Sequence, residues 1–290
     1  MTAAQRRRPI GLALAVALAA AASPATAAGD GVLRVCADPN NLPFSNRAGE
    51  GFENRLAEMV SAELGRDVVY TWWAQRRGFL RNTLDAGACD VVMGVPVDLD
   101  MLATTRPYYR SSYAYVYRRE SGLDLHSMTD PRLRDLDIGV SLIGDDGVNP
   151  PPAHALGQQG IVDNVTGYLI YGDYRDAAPG RAIIDAVAAG DIDVAAVWGP
   201  LGGYFAARES PPLAVSPITG GEAFAPLRFS FSIGMGVRET DEALRAALDA
   251  VIGRRGDDMR AVLRTYGVPL LEAESGPSAP RNAQLEKGRR

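Results

Sequence analysis

Residues 90–118 run DVVMGVPVDLDMLATTRPYYRSSYAYVYR, and their reading decides the fold. Asp90–Val95 is a short apolar run of buried-strand type. A turn follows, then the aromatic pair Tyr108-Tyr109, then Tyr113–Arg118, a second run rich in aromatic and β-branched residues. Upstream, Val32–Ala37 reads as a buried strand. Glu50–Leu64 reads as an amphipathic helix with Phe52, Leu56, Met59, Val60 and Leu64 near helical spacing, stopped by Gly65. Val68–Trp73 is a second strand, and Phe79–Ala86 is a helix ended by Gly87. The resulting β-α-β-α-β order predicts a parallel sheet covered by helices.

Downstream the pattern repeats. A second α/β unit begins near Ile138-Gly139-Val140. It continues through a helix around Ala153–Gly157, a strand at Thr166–Tyr171, a helix at Arg181–Ala189, a strand at Asp193–Trp198 and a helix at Leu201–Arg208. Phe229–Val237 reads as a return strand, and Glu239–Tyr266 as helices. From Ser275 the chain is rich in Pro, Gly and charge, a composition that predicts disorder.

The first 28 residues read as a signal peptide. Arg6, Arg7 and Arg8 form a basic start, Ile10–Ala22 is an apolar run too short for a settled span, and Ala25-Thr26-Ala27 supplies small residues for cleavage. No comparable apolar run follows, so no membrane span is expected after cleavage. No Cys at the cut site offers a lipid anchor, and Pro9 directly after the arginines argues against a twin-arginine signal. The net charge is −5 over 290 residues, and removing the three leader arginines takes it to −8. That balance argues against nucleic acid or an anionic membrane as partner and permits a basic one.

Two cysteines are present, Cys36 and Cys89. An even count in an exported chain favours a disulfide. Against it, Cys36 ends one strand and Cys89 precedes another, so parallel pairing would set them at opposite ends, beyond the ~7 Å Cα separation a bridge tolerates. A bridge and a pair of buried free thiols both stand open. These two Cys and the isolated His126 and His154 do not make a metal site.

The 90–118 segment resembles the ligand-contact segment of family 3, amino-acid-binding periplasmic solute-binding proteins. There it runs Gly-x-Thr-x-Thr-x-x-Arg and later Pro-Tyr-Tyr; here the same places hold Gly94, Pro96, Asp98 and Met101, then Pro107-Tyr108-Tyr109. The blocks 36–46, 51–54, 72–79, 89–96 and 197–201 (CADPNNLPFSN, GFEN, WWAQRRGF, CDVVMGVP and VWGPL) resemble a narrower branch. They are similar to the MxaJ/XoxJ-type accessory proteins found with PQQ-dependent methanol dehydrogenases. The resemblance implies an α/β, two-lobed periplasmic binding protein fold of type II, with a discontinuous first lobe and a two-strand hinge. The implied boundaries are 31–118 plus 222–268 for the first lobe, 119–221 for the second and 269–290 for a disordered tail.

The departures from the receptor pattern matter most. An α-carboxylate wants a bidentate guanidinium, and that place holds Met101. An α-ammonium wants a carboxylate in the second lobe, and that place holds Trp198. A buried charge without its partner costs several kcal/mol, so tight binding of a free amino acid is not expected.

Other candidates for the cleft rim follow strand ends. Asn40, Asn41 and Phe44 follow the first strand, where Asn-Asn and Pro43 also suit a plain tight loop. Gln75, Arg76 and Arg77 follow the second, where the arginines could read anions or be solvated loop charge. Asp145 sits where a receptor's second lobe offers Ser or Thr at a helix start, and helix capping is its simpler role. Trp198, before Gly199-Pro200, could open on the cleft or pack in the core.

No nucleophile elbow, phosphate loop, zinc pattern or haem motif is present. No catalysis and no cofactor are expected. The resemblance implies a non-catalytic accessory or binding protein in the periplasm, serving a PQQ-dependent methanol or other alcohol dehydrogenase, perhaps-apo or mature, or holding a peptide or small-molecule ligand. The rival readings are a transport receptor for an unusual small molecule and a hydrolase or lyase.

Overall fold

The computed structural model describes residues 31–142, 149–169 and 178–272. The expected signal peptide, Asp145 and most of the expected tail lie outside the described residues.

The chain opens with β1 (Val32–Ala37), a short hairpin of β2 (Asn40–Asn41) and β3 (Ser45–Asn46), then α1 (Phe52–Leu64), β4 (Asp67–Trp72), α2 (Phe79–Asn82), β5 (Val91–Pro96), β6 (Ala103–Thr104) and β7 (Tyr109–Tyr117). It continues with β8 (Ile138–Leu142), α3 (Pro151–Gln158), β9 (Val165–Leu169), α4 (Ala182–Ala189), β10 (Val194–Trp198), α5 (Gly199–Ala206), β11 (Ala214–Pro217), β12 (Ser230–Val237) and α6 (Glu242–Thr265). One ten-stranded sheet has the order β4-β1-β5-β12-β7-β10-β8-β9, with β6 on β12 and β11 on β7. Parallel pairs β4-β1-β5 and β10-β8-β9 flank β12 and β7, which run antiparallel to each other and to their outer neighbours β5 and β10. The two long strands therefore join two parallel α/β sets.

Each set has its own core. Leu33 and Val35 of β1, Phe52, Leu56 and Val60 of α1, and Leu248, Val251, Ile252, Met259 and Leu263 of α6 form one cluster. Burying each such side chain contributes roughly 1.5–3 kcal/mol, so α6 is tied to the first strand although two hundred residues of chain separate them. A second cluster holds Tyr115, Leu125, Met128, Leu133, Ile138, Leu156 and Val194. A third holds Val116, Ile183, Ile184, Val187, Val197 and Phe205.

Cys36 and Cys89 are joined by a disulfide with a Cα separation of 5.4 Å. The expected obstacle disappears because β1 and β5 are staggered. Val35 and Cys36, near the end of β1, pair with Val91 and Val92 at the start of β5, so the end of one strand lies beside the beginning of the next. Both cysteines are buried with Phe79, Leu84 and Val92.

The helix expected over 79–86 stops at Asn82. Thr83 turns its hydroxyl back to the Phe79 carbonyl (2.7 Å) and the Ala88 amide bonds the Thr83 carbonyl (2.9 Å), folding the chain over so that Leu84 and Cys89 reach the disulfide cluster. The helices expected over 239–266 are one unbroken helix, α6. Order persists past Val268: the Ser111 hydroxyl donates to the Pro269 carbonyl (2.7 Å), and the Leu271 amide to the Arg110 carbonyl (2.9 Å).

Candidate functional site

Because β4, β1 and β5 are parallel neighbours, their carboxyl ends and following loops lie side by side, where open α/β sheets place their sites. Asp38, just past β1, organises the first of these loops. Its Oδ1 accepts from the Asn40 amide (2.8 Å) and its Oδ2 from the Gln75 amide (2.6 Å). The Asn41 side-chain amide then donates to Gln75 Oε1 (3.0 Å), and the Ser45 hydroxyl donates to the Asp38 carbonyl (2.8 Å). Asn40, Asn41 and Gln75, candidates from separate loops, thus form one unit around a carboxylate. Burial raises the Asp38 pKa, opposed by the two amide bonds and by the charge of Arg76.

Beneath this unit lies Glu53 of α1. It is fully buried, and among the described residues no hydrogen-bond donor meets its carboxyl. Desolvation, with the nearby charge of Asp38, pushes its pKa up to about 8, so near neutral pH it is mostly protonated. The fit over β5 is tight: a Cβ on Gly94 would lie 2.4 Å from Glu53 Oε1. Phe44 is half-buried, edge-on to Phe52 with ring centroids 5.2 Å apart. Its role in packing is clear, and part of the ring remains at the surface.

Arg76 and Arg77 are exposed and line a hollow with Gly78, Phe79, Leu80, Arg81 and Met101. Met101 is 61% exposed. Pro96 closes β5 opposite Ile233 of β12. Asp98 is exposed and ion-paired with Arg228, whose guanidinium lies 4.9 Å from the centre of the Phe231 ring.

Trp198 ends β10, half-buried. Antiparallel pairing sets it opposite Tyr113 of β7, and its indole stands edge-on to Tyr113 (5.4 Å, 65°) and to Phe231 of β12 (5.8 Å, 70°). Tyr113 is itself edge-on to Phe229 (6.5 Å), and burial pushes its hydroxyl pKa up to about 12. Trp198 is therefore both core and surface, wedged where the two joining strands meet β10.

Sequence reasoning missed Asp38, Glu53 and Arg81. Asp38 and Glu53 lie inside the CADPNNLPFSN and GFEN blocks, and Arg81 is the third arginine within six residues. The assembled surface offers amides, guanidiniums, aromatic edges and a protonated carboxyl. At the two places aligned with a receptor's charge clamps it offers a thioether and an indole. Among the described residues no group of three or more His, Cys, Asp or Glu is placed to hold a metal ion, and no helix is long and apolar enough to cross a membrane.

No protein-family model matches the chain. It is 32% identical over 253 residues to Protein MoxJ of Methylorubrum extorquens AM1, a match covering 83% of this chain and 82% of that one. Among solved structures it is similar to the periplasmic binding protein XoxJ from Methylobacterium extorquens AM1, with a TM-score of 0.69, 36% identity and coverage of 83% of this chain and 100% of that one. It is also similar to MxaJ from Methlophaga aminisulfidivorans MPT, with a TM-score of 0.71, 26% identity and coverage of 82% and 100%. The chain belongs to the MoxJ family and has the two-lobed, type II periplasmic binding protein fold.

Proposed function

We propose that this protein is a non-catalytic accessory binding protein of the periplasm that serves a PQQ-dependent methanol or alcohol dehydrogenase, and that it engages its partner through the mouth of the cleft between its lobes. The lobes in this reading are 31–118 plus 222–268, and 119–221. Packing of α6 against β1 and α1 supports the discontinuous first lobe. Kinship with MoxJ, XoxJ and MxaJ supports the compartment and the methanol-oxidising system.

The observation that carries the reading is Trp198. A receptor for zwitterions needs a carboxylate at that strand end, and an indole offers one N–H donor and no charge. Wedged between Tyr113 and Phe231 with part of its surface free, it suits a protein or peptide contact, where aromatic residues and arginines most often act as anchors. Asn41, Phe44, Arg76 and Arg77 complete the contact face, with Asn40, Gln75, Pro96 and Asp98 supporting it. The protein holds no cofactor of its own in this reading.

The test is affinity capture of the cognate dehydrogenase, in apo and holo forms, on the immobilised protein. Retention of either form supports the partnership. Retention of neither, together with saturable binding of a small solute, would move the protein to the transport-receptor reading.

A further inference from the structure

The hollow beside the rim has features that the partnership does not require. Its volume is about 350 Å³, within the ~300–1,000 Å³ range of small-ligand sites. Three guanidiniums face it, those of Arg76, Arg77 and Arg81, and its remaining lining is Gly78, Phe79, Leu80 and Met101.

Elsewhere this acidic chain pairs its arginines with carboxylates. Arg34 and Arg238 share Asp90 at 2.8 and 3.1 Å, and Arg254 and Arg255 share Glu63 at 3.2 and 2.6 Å. Among the described residues no carboxylate lies at ion-pair distance from Arg76 or Arg81. Asp38 feels the charge of Arg76, but its two oxygens are taken by the Asn40 and Gln75 amides.

The loop that gathers these charges is built for the purpose. Gly78 has φ +83°, a left-handed conformation that favours glycine. A Cβ there would lie 3.0 Å from Asn82 Nδ2 and 3.3 Å from Arg81 Nη2, so the absent side chain lets the Arg81 guanidinium fold back across the loop. Met101 turns an exposed apolar side chain onto the same space, and Phe79 anchors the floor through the cluster around Cys36 and Cys89.

Guanidiniums read carboxylates and phosphates through paired N–H donors, whereas a thioether and a leucine read an apolar body. We propose that this hollow is a binding site for a small polyanion with carboxylates carried on an apolar frame. It goes beyond the dehydrogenase partnership and requires no protein partner.

The probes are benzene-1,3,5-tricarboxylate, citrate and inorganic phosphate, each titrated calorimetrically at low salt into the wild type, the double variant Arg76→Gln/Arg81→Gln, Met101→Ala, and a control, Arg264→Gln, in an exposed arginine remote in sequence. Thermal melts check that the variants fold. The expected result is saturable binding of the aromatic tricarboxylate, tighter than citrate or phosphate. It should weaken with added salt and be at least about tenfold weaker in the double variant. Arg264→Gln should leave it unchanged, and Met101→Ala should weaken the aromatic anion more than phosphate. No saturable binding by the wild type, or equal binding by the double variant, overturns the site. Phosphate binding as tightly as the aromatic anion overturns the apolar-frame assignment.

Discussion

Glu53 Oε1 occupies the space that a side chain on Gly94 would need: a Cβ at 94 would fall 2.4 Å from it. The carboxyl-terminal half of β5 thus owes its close packing on α1 to a missing side chain and a buried carboxyl. Gly94→Ala is expected to destabilise the protein by ~1–3 kcal/mol, the usual range for overpacking. In a double-mutant cycle with Glu53→Ala the two changes should be non-additive by more than ~0.5 kcal/mol. Additive urea-denaturation energies would show that the two sites do not press on each other.

The same carboxyl makes stability depend on pH. The folded-state pKa of Glu53 is about 8, against 4.5 for the unreacted group. Between those values the native state keeps a proton that the unfolded chain releases, so stability falls as pH rises and levels off above about 8. The loss is on the order of a few kcal/mol. Glu53→Gln should flatten the profile and be more stable than wild type at pH 8.5. Urea melts from pH 5 to 9 measure both, and an unchanged slope in the variant would assign the effect elsewhere.

Asp38 holds the rim loops from below. Asp38→Ala frees the Asn40 and Gln75 amides, and losing hydrogen bonds to a charged acceptor costs ~1.5–3 kcal/mol. Burial of Asp38 offsets part of that. Faster hydrogen exchange at Asn40 and Gln75, with little change in β8–β10, is the expected pattern; uniform protection in the variant would contradict it.

The Cys36–Cys89 bridge closes a sequence separation of 53 residues. Its removal by a Cys36→Ser/Cys89→Ser pair should lower stability by about 2–4 kcal/mol. Chemical denaturation of the oxidised wild type and the double variant checks it.

How much of this was readable in the sequence differs by element. Strands and most helices followed from local periodicity, and β1 falls where Val32–Ala37 predicted. The stagger of β1 against β5 is a tertiary property, so the disulfide could not be decided from strand position alone. The early end of α2 has the same origin, since the chain leaves the helix to carry Leu84 and Cys89 into the cluster with Cys36. Loop residues such as Asn41, Arg76 and Trp198 announced themselves by following strand ends. Asp38 and Glu53 did not, because nothing in a lone Asp or Glu marks whether amides or apolar side chains will surround it.

Loss of both charge clamps has a direct consequence for ligands. With Met101 and Trp198 at those places, no standard amino acid should bind with a Kd at or below about 1 μM, or about −8 kcal/mol. A calorimetric panel of amino acids checks this, and micromolar binding of any one would show that other residues supply the clamp.

The central claim is contact with the dehydrogenase through the cleft mouth, and a quantitative titration of the purified cognate enzyme tests it most directly. Apo and holo enzyme are each titrated against wild type and against Phe44→Ala, Arg77→Ala and Trp198→Ala. Removing a central anchor costs ~2 kcal/mol or more, roughly a thirtyfold loss of affinity. The account predicts saturable binding of at least one enzyme form and a loss of that size for Trp198→Ala. Absence of binding by wild type, or wild-type affinity in all three variants, would contradict it.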